Sequence, residues 1–256
     1  MRLLVDIGNS TTVMAIAKAD GSIESTWRFK TQKNGTEYFF RNEIIGGLTP
    51  RSITPSQIEA VVVSSVVPEV KEELSEAVIS VIGKAPHFFS VHDAKRVINI
   101  DVESPTQLGN DRVADAIGAV ACYGAPVIVC DLGTATTVGV VNEDKCFIGG
   151  MIIPGVKTSL SALTTRASQL PTINIEKPKH IIGRNTIECM QSGIIHGTAA
   201  MIDGIISDIL PSFGNQPVKI VATGGMSKQI MPHCKHEIAV EPHLQFKGIF
   251  HATKEL

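Results

Sequence analysis

The sequence predicts an α/β protein built from two similar halves, each with a mixed central sheet flanked by helices. An apolar strand that ends in an aspartate and a glycine-containing turn occurs twice, and further strands and then helices follow each copy. The second copy follows the first at a constant offset of 125 residues. The aligned pairs are Asp6 with Asp131, Gly8 with Gly133, Thr11 with Thr136, and Thr12 with Thr137.

Composition indicates a globular chain without a general affinity for nucleic acid or membranes. The 256 residues suffice for two domains of ordinary size, and a hydrophobic content of 43% provides a sizeable core. The 23 basic residues nearly balance the 25 acidic ones, for a net charge of −2. The longest uncharged run, residues 116–130, has 15 residues. A membrane-spanning helix needs about 20 apolar residues.

The cysteines and the first residues predict a cytoplasmic protein. The five cysteines are an odd number without a CxxC pair, which is typical of reduced and mostly buried thiols. Only three apolar residues precede Asp6, so no signal peptide is expected.

The first half is expected to contain three strands, a helix, a strand, a helix and a short strand. The strands are 2–6, 12–18 and 23–29, with Asp20-Gly21 as a hairpin turn. A helix at 37–45 precedes a buried strand at 60–67, and Pro68 opens a helix that ends at Ile82. A short strand at 87–91 and an irregular polar segment at 101–110 follow. Apolar residues from Val113 onward then mark one face of a helix that ends near Gly124.

The second half repeats this order. Strands are expected at 127–131, 136–141 and 146–153, followed by a helix at 156–166 and a loop at 170–183. A long amphipathic helix covers 187–209, and a strand at 218–222 leads into the Gly224-Gly225 turn and a helix start at 227–231. Two βββαβα halves match the duplicated ribonuclease-H-like fold of actin and the sugar kinases. The predicted domains are residues 1–124 and 125–256.

The two acidic turns are the candidate nucleotide site. The sequence contains neither a GxxxxGK[ST] loop nor a GxGxxG fingerprint. In the segment from Asp6 to Val13, Asn9 and Ser10 can donate to phosphate oxygens, and Asp6 can hold Mg²⁺. An ordinary polar turn would have a similar composition. The second copy at Asp131 favours a nucleotide that lies between the halves.

A second candidate lies at residues 109–112, Gly-Asn-Asp-Arg, just ahead of a helix. Asp111 suits the first helical turn because of the helix dipole, which is a purely structural explanation. Arg112 is unfavourable at that end unless it binds an anion such as a carboxylate or a phosphate. Asp111 beside it is suited to orient a substrate hydroxyl and accept its proton.

Two weaker candidates for ligand binding lie at the start of a helix and at the end of a strand. Asn185 stands three residues before Glu188, which predicts a helix cap, and Thr186 in the first turn is placed to reach a ligand. Gly224-Gly225 allows close approach of the backbone to an adenosine or a phosphate.

Together these segments resemble the type III pantothenate kinases, nearly end to end. The matching pieces are residues 6–10, 109–112, 131–135, 149–155, 183–186 and 223–225. The resemblance implies ATP-dependent phosphorylation of pantothenate, the first step of coenzyme A synthesis, by a cytoplasmic homodimer whose substrate pocket lies near the dimer interface.

The resemblance also implies a role for each matched residue. Pantothenate would bind at Gly109, Asn110, Asp111, Arg112 and Thr186, with Asp111 as the general base. Asp131 would hold a monovalent cation, K⁺ or NH₄⁺. The implied ATP contacts, with Mg²⁺, are Asp6, Ile7, Gly8, Asn9, Ser10, Thr11, Thr12, Val13 and Thr134.

Two positions depart from the family pattern. Asn110 replaces a small residue, and Val102 replaces a tyrosine near the pantothenate pocket. Valine keeps an apolar wall but offers no hydroxyl, and the Asn110 amide is expected to supply a polar contact instead.

Two alternative functions remain open at this point. One is a nucleotide-binding regulator with little turnover, similar to the transcription-activating relatives of the family. The other is a kinase of the same fold that acts on another small hydroxylated acid. The presence of Asp6, Asp111, Arg112 and Asp131 favours an enzyme.

Overall fold

The computed structural model describes residues 1–256 and divides into two compact units. The first unit comprises Met1–Ala121 together with His243–Leu256, and the second comprises Cys122–Pro242. The division therefore falls three residues before the expected boundary at 124. It also places the last 14 residues, which were expected in the second half, with the first unit.

The first unit has a five-stranded sheet in the order β3-β2-β1-β4-β5. β2 pairs with β1 and β3 in antiparallel fashion, whereas β4 runs parallel to β1 and to β5. The strands in this part of the chain are β1 (Arg2–Ile7), β2 (Thr11–Ala17), β3 (Ile23–Lys30), β4 (Ala60–Ser65), β5 (His87–Phe88) and the short β6 (Asn99–Ile100). The helices are α1 (Glu37–Leu48), α2 (Lys71–Ile82), α3 (Val91–Ala94) and α4 (Asn110–Tyr123).

Local chemistry accounts for the ends of several of these elements. Gly21, with φ of 87°, turns the chain between β2 and β3, as the Asp20-Gly21 pair predicted. The Thr36 side chain accepts a hydrogen bond from Phe39 N and caps α1. Pro68 opens a 3₁₀ turn rather than the α-helix itself, which begins at Lys71 and ends at Gly83 in the left-handed conformation.

The core of the first unit lies between the sheet and helices α1 and α2. β1 and β4 contribute alternate residues to it, and the two helices cover the sheet with their apolar faces. Its fully buried large side chains include Leu3, Met14, Phe40, Ile44, Ile58 and Leu74.

The second unit repeats this topology with the strand order β11-β10-β7-β8-β9. The strands are β7 (Val127–Leu132), β8 (Ala135–Val141), β9 (Cys146–Pro154), β10 (Lys219–Thr223) and β11 (Ala239–Val240). The helices are α5 (Val156–Arg166), α6 (Thr186–Ile209) and α7 (Ser227–Ile230). The predicted order of strands and helices is therefore confirmed in both units, and in the second unit two helices, α5 and α6, stand between the third and fourth strands.

Helix α6 covers the sheet of the second unit with one apolar face. Ile195, Ala199, Ile202 and Ile206 recur at three- and four-residue spacing and pack in its core with Ile128 and other strand residues. Together with the 3₁₀ turn that follows it, α6 forms the helical segment Thr186–Phe213, which is long and apolar enough to cross a membrane by length and composition alone. Of its most apolar 18-residue stretch, 28% is buried inside the protein. A core helix of a soluble protein passes the same test.

The cysteines are all free thiols, but fewer are buried than predicted. Cys130 is buried, whereas Cys122 and Cys189 are exposed and the remaining two are half-buried. Burial raises the pKa of the Cys130 thiol to about 12.

The last helix, α8 (Leu244–Ala252), packs against α4 with almost no space between the two backbones. A Cβ added at Gly248 would lie 1.7 Å from the carbonyl oxygen of Ala114, and one at Gly118 would lie 2.2 Å from that of Leu244. Glycine at both positions is what allows this approach, so the C-terminal helix belongs to the first unit.

We expect Gly248→Ala to destabilise the protein by about 1–3 kcal/mol, because its methyl group would force α8 away from α4. Urea denaturation followed by circular dichroism measures this change. Gly204→Ala is the matched control, since Gly204 lies in α6 and a Cβ there would contact nothing within 4 Å. Alanine at this control position should stabilise the helix by about 0.5–1 kcal/mol. Equal stability of the two variants would contradict the close α4–α8 contact.

Candidate functional site

The first acidic turn connects β1 to β2. Ile7 pairs with Thr12, which leaves residues 8–11 as the loop, and Gly8 N donates to Thr11 O at 3.1 Å. Asp6 is half-buried and lies opposite Val13, whereas Asn9 and Ser10 are exposed. Neither the Asn9 nor the Ser10 amide N–H donates to a protein acceptor. The turn therefore presents two backbone donors and a carboxylate together, as the sequence predicted.

Two side chains that the sequence did not indicate hold this turn in place. Gln245 Nε2, in α8, donates to Asp6 Oδ1 at 2.8 Å. Thr31 Oγ1 donates to Gly8 O at 2.7 Å and lies 2.9 Å from Thr12 Oγ1. Gln245 is 239 residues from Asp6, so no local pattern could have paired them.

The second acidic turn is one residue shorter. Leu132 pairs with Thr136, so only residues 133–135 form the loop, and Gly133 N donates to Ala135 O at 3.1 Å. By strand register, Thr136 therefore corresponds to Thr12, and the alignment of Thr11 with Thr136 at a constant offset was wrong. Both Thr12 and Thr136 are fully buried, which agrees with this assignment.

The Asp131 carboxylate lies against two glycines. A Cβ at Gly224, where φ is 87°, would be 2.3 Å from Asp131 Oδ1, so the Gly224-Gly225 turn closes over the carboxylate. A Cβ at Gly133 would meet only oxygens, the two of the Asp131 carboxylate and Ala135 O, at 3.4–3.6 Å. The buried hydroxyl of Thr136 has no hydrogen-bond partner in the protein. Carboxylate and carbonyl oxygens of this kind suit a hard cation, whereas by strand register the Thr136 side chain shares the opposite face of the sheet with Leu132.

Residues 109–112 form the start of α4, which begins at Asn110. Asp111 Oδ1 accepts from Arg112 N at 2.8 Å, and a Cβ at Gly109 would lie 2.3 Å from the same oxygen. Gly109 therefore leaves room for the Asp111 carboxylate to lie over the turn. Asp111 and Arg112 lie in the first helical turn, as predicted, and both are half-buried.

The Arg112 guanidinium is positively charged and partly buried. Burial lowers the pKa of its guanidinium, and the neighbouring Asp111 carboxylate acts in the opposite direction. A cation at the amino end of a helix, beside the backbone N–H groups, is arranged to attract an anionic ligand.

Asn110 makes a contact that differs from the expected one. Its Nδ2 donates to Phe89 O at 3.3 Å, so part of its hydrogen-bonding capacity is used within the protein. Asn110 also lines a cavity of about 290 Å³ in the first unit. The other lining residues are Ser65, Val66, Val67, Pro68, Lys71, Phe88 and Phe89. Val102 lies between β6 and α4 and does not line this cavity.

Thr186 is the first residue of α6 and is exposed. The predicted cap at Asn185 is confirmed, since its side chain accepts from Glu188 N at 2.9 Å. Glu188 Oε2 accepts from Arg184 N at 3.0 Å, one residue earlier than the capping box predicted.

A second cavity, of about 760 Å³, lies within the second unit beside the Gly224-Gly225 turn. Its lining combines apolar side chains with hydroxyl, amide and charged side chains. The lining residues are Lys157, Leu160, Ser161, Thr164, Thr172, Ile173, Asn174, Ile175, Glu176, Gly225, Met226 and Gln229. The predicted residues thus form two clusters in the first unit, at 6–13 and 109–112. In the second unit the predicted residues are Asp131, Thr134 and Thr186.

Comparison with known proteins gives both a family and a fold. Residues 2–208 match the family model described as type III pantothenate kinase. A conserved Campylobacter jejuni protein assigned to the Baf family of transcriptional activators is 18% identical, with a TM-score of 0.60 over 99% of this chain and 98% of that chain. The activator of the 2-hydroxyisocaproyl-CoA dehydratase from Clostridium difficile, with bound ADPNP, is 14% identical, with a TM-score of 0.56 over 99% and 93%. Component A of the Acidaminococcus fermentans (R)-2-hydroxyglutaryl-CoA dehydratase is 14% identical, with a TM-score of 0.57 over 99% and 96%. At these identities the structural likeness shows the fold alone.

We expect Gly224→Ala to destabilise the second unit by roughly 1–3 kcal/mol, because alanine there is strained at positive φ and its Cβ would overlap Asp131 and the Leu132 backbone. The change is measured by urea denaturation. The adjacent Gly225→Ala is the control, since a Cβ at Gly225 meets nothing within 4 Å. This control should stay within about 0.5 kcal/mol of the native protein. A neutral Gly224→Ala would mean that the turn does not close over Asp131.

Proposed function

Because the chain belongs to the type III pantothenate kinase family, it is a pantothenate kinase of coenzyme A synthesis, and we propose that the two acidic turns and the start of α4 carry its reaction. The family match over residues 2–208 is the observation that carries the activity. The likeness to a transcriptional activator is at 18% identity and does not favour a regulatory function.

The segment from Asp6 to Val13 is proposed to bind the phosphates of ATP. The exposed amides of Asn9 and Ser10 support this assignment, because unengaged N–H groups in a turn attract anions. The Asp6 carboxylate, oriented by Gln245, is a hard oxygen donor suited to Mg²⁺. Bound Mg²⁺ would offset the negative charge of the phosphates.

In the second unit, Thr134 is proposed to contact ATP as well. The 760 Å³ cavity supports a place for the nucleoside, since its size falls within the range of small-molecule sites. Its apolar lining residues suit contact with a purine ring, and its polar lining residues suit the ribose hydroxyls.

Pantothenate is proposed to bind at Gly109, Asn110, Asp111 and Arg112, and at Thr186 in the second unit. The 290 Å³ cavity beside Asn110 supports this, because it suits a small ligand and contains Lys71 as its one charged lining residue. A lysine and an arginine near the start of α4 give the substrate carboxylate two cationic groups to approach.

The chemistry proposed for Asp111 is that of a general base. The 4′-hydroxyl of pantothenate attacks the γ-phosphate of ATP and passes its proton to the Asp111 carboxylate. Gly109 leaves the space in which this carboxylate lies, and the hydrogen bond from Arg112 N fixes one of its oxygens. The other oxygen is available for the substrate hydroxyl.

Asp131 is proposed to hold a monovalent cation, K⁺ or NH₄⁺. The Asp131 carboxylate and the neighbouring Ala135 carbonyl support this assignment, because both offer oxygen donors to a cation. Such a cation would neutralise the carboxylate where phosphates approach.

A cytoplasmic homodimer is proposed as the working form. Exposed aliphatic side chains on β9 and ahead of α6 support an interface on the second unit, since isolated proteins rarely expose contiguous apolar surface. These side chains are Ile148, Met151, Ile152, Ile181 and Ile182, of which Ile152 is 70% and Ile182 is 80% exposed.

Incubation with ATP, Mg²⁺ and pantothenate tests the proposal directly. We expect ADP and phosphopantothenate in equal amounts, detected by a coupled assay and by mass spectrometry. After dialysis, the rate should rise steeply with K⁺ or NH₄⁺ and less with Na⁺. Equal rates in the three salts would remove the role proposed for Asp131. Folded protein that makes no product with all components present would contradict the kinase function.

Asp111→Asn should lower kcat about 10²-fold or more while the thermal midpoint stays close to that of the native protein, since the amide is isosteric but cannot accept the proton. Glu72→Gln is the control, because Glu72 is an exposed acid in the first turn of α2. If Asp111 served only the helix dipole, both variants would keep full turnover, and the base assignment would be wrong.

A further inference from the structure

Thr31, which directly follows β3, contacts the first acidic turn through both its side chain and its backbone. Its Oγ1 donates to Gly8 O at 2.7 Å, and its N–H donates to Ser10 O at 3.2 Å. The side chain is buried, with 8% of its surface exposed. One residue therefore fixes two carbonyl groups of a four-residue loop.

The buried Thr12 hydroxyl completes this network. A threonine hydroxyl has one proton, and that of Thr31 is used on Gly8 O. The 2.9 Å contact between Oγ1 of Thr31 and Oγ1 of Thr12 is then a hydrogen bond donated by Thr12. The Thr12 hydroxyl therefore donates to the Thr31 hydroxyl, which in turn donates to the Gly8 carbonyl oxygen.

Holding the Gly8 carbonyl also sets the direction of the next amide. The Gly8–Asn9 peptide is trans, since the only cis bond precedes Pro126. In a trans peptide the C=O and the following N–H point in opposite directions. With Gly8 O directed at the buried Thr31, Asn9 N–H is directed to the exposed side of the turn.

We propose that Thr31 is a positioning residue that orients the turn amides for the phosphates of ATP. The inference rests on the proposed function, because it takes residues 6–13 as the phosphate-binding turn. Thr31 touches no substrate; it acts through the Gly8–Asn9 peptide and the Ser10 carbonyl.

The second unit contains a similar contact, which supports the inference. Thr158, in α5 after β9, donates from Oγ1 to Thr134 O at 2.7 Å. In each unit, a threonine that follows the third strand thus holds a carbonyl of the acidic turn. The held carbonyls are not equivalent, because the second turn is one residue shorter.

Thr31→Val removes the hydroxyl at nearly constant volume, and Thr31→Ser keeps it. We expect the KM for ATP to rise about tenfold in the valine variant, the upper range for one lost hydrogen bond, with the KM for pantothenate within about twofold of the native value. Thr31→Ser should restore most of the ATP affinity. If Thr31 only stabilised the fold, the KM for ATP and the KM for pantothenate would change by similar factors.

Thr253→Val is the matched control. Thr253 is fully buried in the same unit and its Oγ1 donates to Ile249 O at 2.7 Å, so the variant removes the same type of hydrogen bond far from the turn. Its KM for ATP should equal that of the native enzyme. If Thr31→Val fails to fold, Thr31→Ala removes the same hydroxyl without adding a methyl group in contact with Gly8.

Calorimetric titration with ATP separates failure of this inference from failure of the proposed function. A native enzyme that phosphorylates pantothenate, with an unchanged KM for ATP in Thr31→Val or Thr31→Ala, overturns the positioning role alone. A native protein without kinase activity but with ATP binding weakened in these variants overturns the proposed function and leaves the positioning role standing. A rise in both KM values that Thr31→Ser does not reverse also overturns the positioning role.

Discussion

In each unit a half-buried carboxylate stands near the end of the central strand, and the surrounding structure must compensate its charge. Removing a carboxylate from water is costly unless donors or a cation replace the lost hydration. For Asp6, the amide of Gln245 supplies a donor from the last helix of the unit. For Asp131, the turn at Gly224 closes over the carboxylate, and the proposed monovalent cation would offset its charge. The close contact with Asp131 explains why glycine is required at position 224.

The two turns share a sequence pattern but differ in what they present. The first has a four-residue loop whose carbonyls are held by Thr31, so the Asn9 and Ser10 amides are available to an anion. The second loop is one residue shorter, and its space is lined by oxygens, which suits a cation. The two strand–turn–strand segments thus differ in loop length and in the residues around the loop, and this difference is the basis for proposing an anion at the first turn and a cation at the second.

At the start of α4, a half-buried cation lies beside the positive end of the helix dipole, which is unfavourable unless an anion binds there. Arg112 lies at the positive end of a helix, and burial lowers the pKa of its guanidinium. Asp111 partly offsets that charge, and Gly109 gives its carboxylate room. In the proposed mechanism, this arrangement would attract an acidic substrate and place a base beside its hydroxyl. Membership of the family thus gives a reason for a local arrangement that packing alone does not explain.

The sequence alone determined the order of strands and helices, the two acidic turns, the cap at Asn185 and the placement of Asp111 and Arg112 in a first helical turn. Each of these depends on residues close together in the chain, where periodicity, caps and turn residues act locally. Only the tertiary structure decided that α8 packs on α4, that Gln245 holds Asp6, and that Thr31 holds Gly8. It also decided that Asn110 donates to Phe89 O and that the second loop is one residue shorter. Those features depend on strand register and on contacts between residues distant in sequence, for which a single sequence carries no local signal.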